Sequence, residues 1–246
     1  MRTIELHRSV TESNDRDAEV LRQELRGKGV LLINLMSAAG SGKTTLLSRI
    51  IRDLSDKLRI AVLEADIEAS VDAETIEALG ARSIQVHTDG MCHMDAGMTR
   101  QGLEEMGLED IDLAFLENIG NLICPAEYDT GAGLNLMISS IPEGDDKPLK
   151  YPLMYQKSNG LVISKLDALP YFDFDMDKFL DRVWFLNPSI RIFPVSAMTG
   201  EGMEALEAWL LEETGKWQGK PTGGLLEETG MPTKETGKPV APVNEG

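Results

Sequence analysis

The chain has 246 residues, 42% of them hydrophobic and 26% charged, and carries 41 Asp and Glu against 24 Lys and Arg, a formal net charge of −17. That length suits one α/β domain with appendages better than two equal domains, since domains run to ~100–200 residues, and the acidity argues against a nucleic-acid or anionic-membrane surface. Residues 64–129 hold 16 acidic groups against only Arg82 and Arg100, so most of the excess sits in one segment.

In chain order, Ala18, Val20, Leu21 and Leu25 fall at near-helical spacing after Asn14, a good N-cap residue, and predict a leading helix over 15–28. A buried strand at Val30–Met36 follows, then a Gly-rich turn and a helix from about Lys43 to Leu54. Next come strand Arg59–Ala65, helix Val71–Leu79, strand Ser83–His87, helix Asp95–Met106 and strand Asp112–Glu117, with further strands at Leu134–Ile141, Leu161–Ser164 and Ile190–Val195. Apolar strands separated by helical patterns predict βαβ units: an α/β fold whose mostly parallel sheet is flanked by helices on both faces, with ligands at the C-terminal strand ends. Past Glu213 the pattern stops, and 11 of the last 33 residues are Gly or Pro. LLEETG occurs twice, at Leu210–Gly215 and Leu225–Gly230, too little for a solenoid. The expected organisation is an N-terminal helical extension (1–29), a nucleotide-binding domain (30–213) and a flexible tail (214–246).

Two cysteines are too few for a secreted disulfide framework, MRTIELHRSV lacks the apolar stretch of a signal peptide, and no apolar run approaches the ~18 residues of a membrane span. A cytoplasmic protein is expected.

The strongest motif is SAAGSGKT, Ser37–Thr44, between a buried strand and a helix. There backbone N–H groups and the helix N-terminus can wrap a phosphate chain. Gly40, Ser41, Gly42, Lys43, Thr44 and Thr45 are the expected contacts, with Lys43 reaching the β/γ-phosphates as a catalytic cation and Thr44 ligating Mg²⁺. The usual first Gly of this P-loop is Ser37.

Ser164-Lys165-Leu166-Asp167 ends a later strand. An Asp there can accept both N1–H and N2–H₂ of guanine, which adenine cannot match, while Lys165 packs along the base. Ser196 and Ala197, near the next strand end, can offer a backbone N–H to guanine O6. In this order after a phosphate loop, they favour GTP over ATP. Glu117, ending its strand, is expected to hold Mg²⁺ and Gly120 to sense the γ-phosphate. Asp66 and Asp72 are further candidate catalytic acids, although acids at a helix start are also an ordinary dipole partner.

Cys92 and His93 are adjacent, and Cys124 lies seven residues past Glu117. Thiolate and imidazole suit Ni²⁺ or Zn²⁺ rather than Mg²⁺. Three ligands leave one position open, or two chains pool theirs across a dimer. The alternative is two reduced structural cysteines and a capping histidine.

Taken together, SAAGSGKTT, GMCHMDA, ENIGNLICPAEYD, EGDDKPLKYP, SKLDALPY and SAMTGEGM, in unbroken order over about residues 30–212, resemble the hydrogenase maturation GTPases of the HypB family. The related urease accessory GTPases of the UreG family share the fold, but the Cys-Pro-His of their metal site is absent. The resemblance implies a GTPase that dimerises on binding GTP, binds Ni²⁺ or Zn²⁺ at the subunit interface through Cys92, His93 and Cys124, and helps load nickel into a [NiFe]-hydrogenase large-subunit precursor alongside a HypA-type metallochaperone. It also implies Asp66 and Glu117 as switch acids holding Mg²⁺, and Lys147 reaching across the dimer to the nucleotide. Three departures stand out: Ser164 replaces the usual Asn before Lys-x-Asp, Ala69-Ser70-Val71-Asp72 lacks the common Thr, and the N-terminal nickel-storing motifs of some members are missing. Competing readings are a nucleotide-dependent metallochaperone for another nickel enzyme, of the urease-accessory type, and a kinase, for which no acceptor site is visible.

Overall fold

A computed structural model describes residues 6–65, 76–88 and 90–220. Helix α1 (Leu6–Lys28) leads into β1 (Leu31–Ser37), α2 (Lys43–Leu54), β2 (Ile60–Ala65), β3 (Arg82–Val86), α3 (Ala96–Met106), β4 (Leu113–Glu117) and the short α4 (Cys124–Glu127). Then follow β5 (Leu134–Ser140), two short helices α5 (Lys147–Lys150) and α6 (Pro152–Lys157), β6 (Gly160–Ser164), α7 (Met176–Leu186), β7 (Arg191–Pro194) and α8 (Met203–Trp217). The seven strands form one sheet in the order β3-β2-β4-β1-β5-β6-β7, every pair parallel, so the expected α/β sheet holds and is parallel throughout. Parallel neighbours need crossovers, and the crossover helices cover both faces.

The strand sequences show why. Alternate residues of β1 feed opposite layers: Leu31, Ile33 and Leu35 meet α2 and α8 through Leu46, Ile50, Leu206 and Trp209, whereas Leu32 meets α1 and α3 through Leu25 and Leu103. A third cluster packs α6 and α7 on the β5–β6 half through Tyr155, Phe179 and Val183. β1 thus sits centrally, buried on both faces, with the phosphate loop at its C-terminal end.

Helix α1 starts well before the expected residue 15. Asn14 does not cap it; mid-helix, its amide donates to the Asp129 carbonyl at 2.8 Å and accepts from the Ala96 N–H at 3.0 Å, tying α1 to the start of α3. Leu21 and Leu25 are buried in the core, so α1 is packed into the domain. Helix α3 is capped as its sequence suggests, Asp95 accepting from Met98 N–H at 2.8 Å. The sequence patterns bring out neither α7 nor α8. Helix α8 runs past 213 to Trp217, whose ring lies 4.3 Å from the Arg26 guanidinium. Gln218 then donates to the Gly29 carbonyl and to Asp112, at the N-terminal end of the sheet. Helix Val71–Leu79 lies mostly outside the described residues, as does most of the 214–246 tail. Among the described residues no helix is long and apolar enough to cross a membrane.

Candidate functional site

At the C-terminal ends of β1, β2, β4 and β6 lies a cavity of about 540 Å³ lined by the phosphate loop, Glu64, the 117–120 segment and Lys165. Gly40 and Gly42 have φ of +73° and +96°, backbone that L-residues rarely adopt, which lets the loop curl into the N-terminus of α2 at Lys43. Gly40, Gly42, Lys43, Thr44 and Thr45 line the cavity; Ser41 is buried beneath, its hydroxyl without a hydrogen-bond partner among the described residues. Ser37, in place of Gly, is fully buried: its hydroxyl donates to the Ala38 carbonyl and accepts from Lys43 Nζ at 3.0 Å. The departure therefore gives the Lys43 ammonium a partner within the loop itself.

Lys165 takes the left-handed conformation (φ +58°), a strained choice for a residue with a Cβ. Three bonds hold its turn: Nζ donates to the Gly40 carbonyl at 2.8 Å, Leu166 N–H to the Val195 carbonyl, and the Ser164 hydroxyl to the Ser41 carbonyl at 2.8 Å. Ser164, which stands where the resemblance expects Asn, is thus a direct tie to the phosphate loop. Asp167 accepts from the Ser196 hydroxyl at 2.6 Å, so the acid expected to read the base and the 196–200 loop are joined, Ala197 beside them.

Glu117 ends β4 and is buried in the cavity wall. Parallel pairing sets Glu64 of β2 directly beside it, also buried, with Ser83 Oγ donating to Glu64 at 3.4 Å. Glu64 is missed by sequence reasoning because it sits inside an apolar strand; only the register of β2 on β4 discloses it. Gly120 presses on the phosphate loop, where an added Cβ would stand 3.0 Å from Ala39 Cα and N. Thr44, Glu117 and Glu64 together offer the oxygen donors that suit a hard cation such as Mg²⁺. Asp66 and Asp72 lie outside the described residues. Lys147 is not in this cavity; it faces Glu143 at 3.6 Å and the Tyr151 ring at 5.4 Å.

The loop after β3 and the start of α4 bring Cys92, His93 and Cys124 together, with their ligand atoms all within 4.8 Å of one another and the two sulfurs 2.8 Å apart. His93 is buried and stacked on Tyr128, ring centroids 3.7 Å apart and planes at 14°. Burial holds its imidazole below the ordinary value against the pull of Asp95 and Glu127, which favours the neutral, metal-binding form. The hydrogen bond with Cys92, with burial second, raises the Cys124 thiol. Borderline-soft sulfur and nitrogen donors fit Ni²⁺ or Zn²⁺.

Residues 31–194 match the family described as CobW/HypB/UreG, nucleotide-binding domain. The hydrogenase maturation factor HypB of Rhizobium leguminosarum bv. viciae is 42% identical over 209 residues, 85% of this chain and 70% of that protein. Among solved structures, HypB from Helicobacter pylori in complex with nickel has a TM-score of 0.79 at 33% identity, covering 86% of this chain and 99% of that one. HypB from Archaeoglobus fulgidus gives 0.78 at 32%, covering 82% and 99%. Identity of this extent over most of both chains shows that the chain belongs to the CobW/HypB/UreG family of nucleotide-binding proteins, among the hydrogenase maturation factors HypB.

Proposed function

We propose that the chain is a GTP-hydrolysing switch that binds Ni²⁺ or Zn²⁺ and assists delivery of nickel to [NiFe]-hydrogenase during maturation. The observation that carries this is the cluster Cys92–His93–Cys124 hung on the segments that also wall a phosphate-loop cavity: Cys124 follows the 117–120 wall by four residues. The names of the relatives and the nickel bound to the Helicobacter pylori HypB support the same cargo.

In this reading Lys43 leaves Ser37 to meet the β/γ-phosphates, and loop amides and the N-terminus of α2 take the remaining charge. Mg²⁺, held by Thr44 and Glu117 with Asp66, would neutralise charge developing between the phosphates. Asp167, oriented by Ser196, reads the guanine edge, and Lys165 packs along the base. Asp66 and Asp72 are the candidates to position the attacking water. Gly120 reports the γ-phosphate through its contact with Ala39. GTP binding pairs two chains, with Lys147 reaching the partner's nucleotide; a HypA-type metallochaperone and the hydrogenase precursor exchange nickel with the three-ligand site.

Native mass spectrometry with a non-hydrolysable GTP analogue, the ATP analogue, Ni²⁺ and Zn²⁺ tests this. Expected are a guanine-selective dimer and one metal site lost in Cys124→Ser. A monomer indifferent to every addition refutes the reading. Asp66→Ala is expected to abolish turnover while sparing GTP binding; intact turnover assigns the water to another acid.

A further inference from the structure

Between the cavity, whose wall it helps to form, and the metal cluster lies a buried amide. Asn118 is fully buried at the end of β4, its backbone N–H donating to the Leu35 carbonyl. Its side-chain oxygen accepts two backbone N–H bonds: from Ile119 at 2.9 Å, next to the γ-phosphate-sensing Gly120, and from Met94 at 3.3 Å, next to His93. Two N–H donors on one side leave its NH₂ to face β1, where it donates to Asn34 Oδ1 at 3.0 Å. Asn34 in turn donates to Asn135 Oδ1 at 3.0 Å, and Asn135 to the Lys157 carbonyl at 3.1 Å, so a chain of amides crosses β4, β1 and β5.

We propose that Asn118 is the positioning residue through which the nucleotide state sets the geometry of the Cys92–His93–Cys124 site; this rests on the nucleotide-switch reading above. The oxygen serves one amide from each site. A shift of the 117–120 segment toward or away from phosphate pulls that oxygen between them, and a buried N–H stripped of its acceptor is costly enough that the Met94 loop must follow. The Asn34 brace restricts the amide from rotating to absorb the displacement, since the low-dielectric interior penalises every unmade bond in the chain. Met94 carries His93 and Cys92 with it, whereas Cys124 hangs on the other side of the same switch segment. The three ligands would therefore converge or spread according to the phosphate bound.

The test is the ratio of Ni²⁺ affinities in the GDP-bound and GTP-analogue-bound protein, measured for the full chain and for Asn118→Ala. Coupling of ordinary strength gives a ratio of about 5- to 150-fold in the unaltered protein, collapsing to within about twofold of one in the variant, whatever happens to either affinity alone. A ratio kept in Asn118→Ala overturns the proposal and leaves the switch reading standing; a ratio of one in the unaltered protein overturns both. Should the variant not fold, hydrogen exchange of the Met94 amide in the unaltered protein decides: protection must differ between the two nucleotide states, and equal protection sinks the proposal.

Discussion

Gly120→Ala is the sharpest probe of the cavity wall. The added methyl carbon would stand 3.0 Å from Ala39 Cα, 3.0 Å from Ala39 N and 3.2 Å from Ala39 Cβ, all short of ordinary contact and two of them backbone atoms that cannot rotate away. Relief requires the phosphate loop or the 118–121 turn to retreat by a few tenths of an ångström. Overpacking of that kind costs about 1–3 kcal/mol, and if the retreat is made only when the wall closes on a γ-phosphate, the cost falls on GTP rather than GDP. At about 1.4 kcal/mol per tenfold, the GTP-analogue Kd is expected to rise about 5- to 150-fold, with a smaller change for GDP, in titrations with fluorescent nucleotides at fixed Mg²⁺. Equal losses for both nucleotides would refute γ-phosphate sensing at Gly120, and affinities within twofold of the original would refute the close contact itself.

Gly27→Ala meets nothing within 4 Å and lies in α1, so it should stabilise the protein by about 0.5–1 kcal/mol in urea melts and leave nucleotide affinity unchanged; a loss of stability would mean that the helix ends earlier. Ser164→Ala strips the Ser41 carbonyl of its donor and should cost about 1–3 kcal/mol, read as weaker guanine-nucleotide binding, lower melting temperature or both. No change in either would show that the tie is idle. Burial and then the neighbouring Asp53 push the Glu207 carboxyl up to about 7, with Arg49 and Lys57 opposing. The folded state thus retains a proton that the unfolded chain releases near pH ~4.5, and the stability associated with that proton is lost as pH rises through ~7. Discounted for solvent screening at this partly exposed site, Glu207→Gln should gain about 1 kcal/mol at pH 8 and flatten the slope between pH 5 and 7; parallel stability curves for the two proteins would rule it out.

The parallel sheet and the phosphate loop are legible in sequence because both are local patterns: strands such as LLINLMS are mainly apolar and buried along their whole length, as cover on two faces demands, and the Gly-Ser-Gly-Lys-Thr run fixes its own turn. What escapes is set by register. Asn34 and Asn135 look like isolated polar interruptions of two strands and Asn118 like the first loop residue after a third, and only the order β4-β1-β5 joins them. Glu64 comes to Glu117 the same way. Helix α7 repeats Phe179, Leu180, Val183 and Trp184 on its inner face, yet exposes Phe185, which blurs the amphipathic signal. Asn14 reads as a cap until its partners at Asp129 and Ala96, more than 80 residues away, are known.

The Gln218 side chain, pinned to Gly29 and Asp112, has a practical reach beyond packing. It delivers the chain at Lys220 to the pole of the sheet where the strands begin, while the phosphate cavity opens where they end. A surface tether or fluorophore attached there is separated from that cavity by the length of the β-strands. Nucleotide exchange can then be followed on an immobilised molecule whose cavity mouth faces the flow.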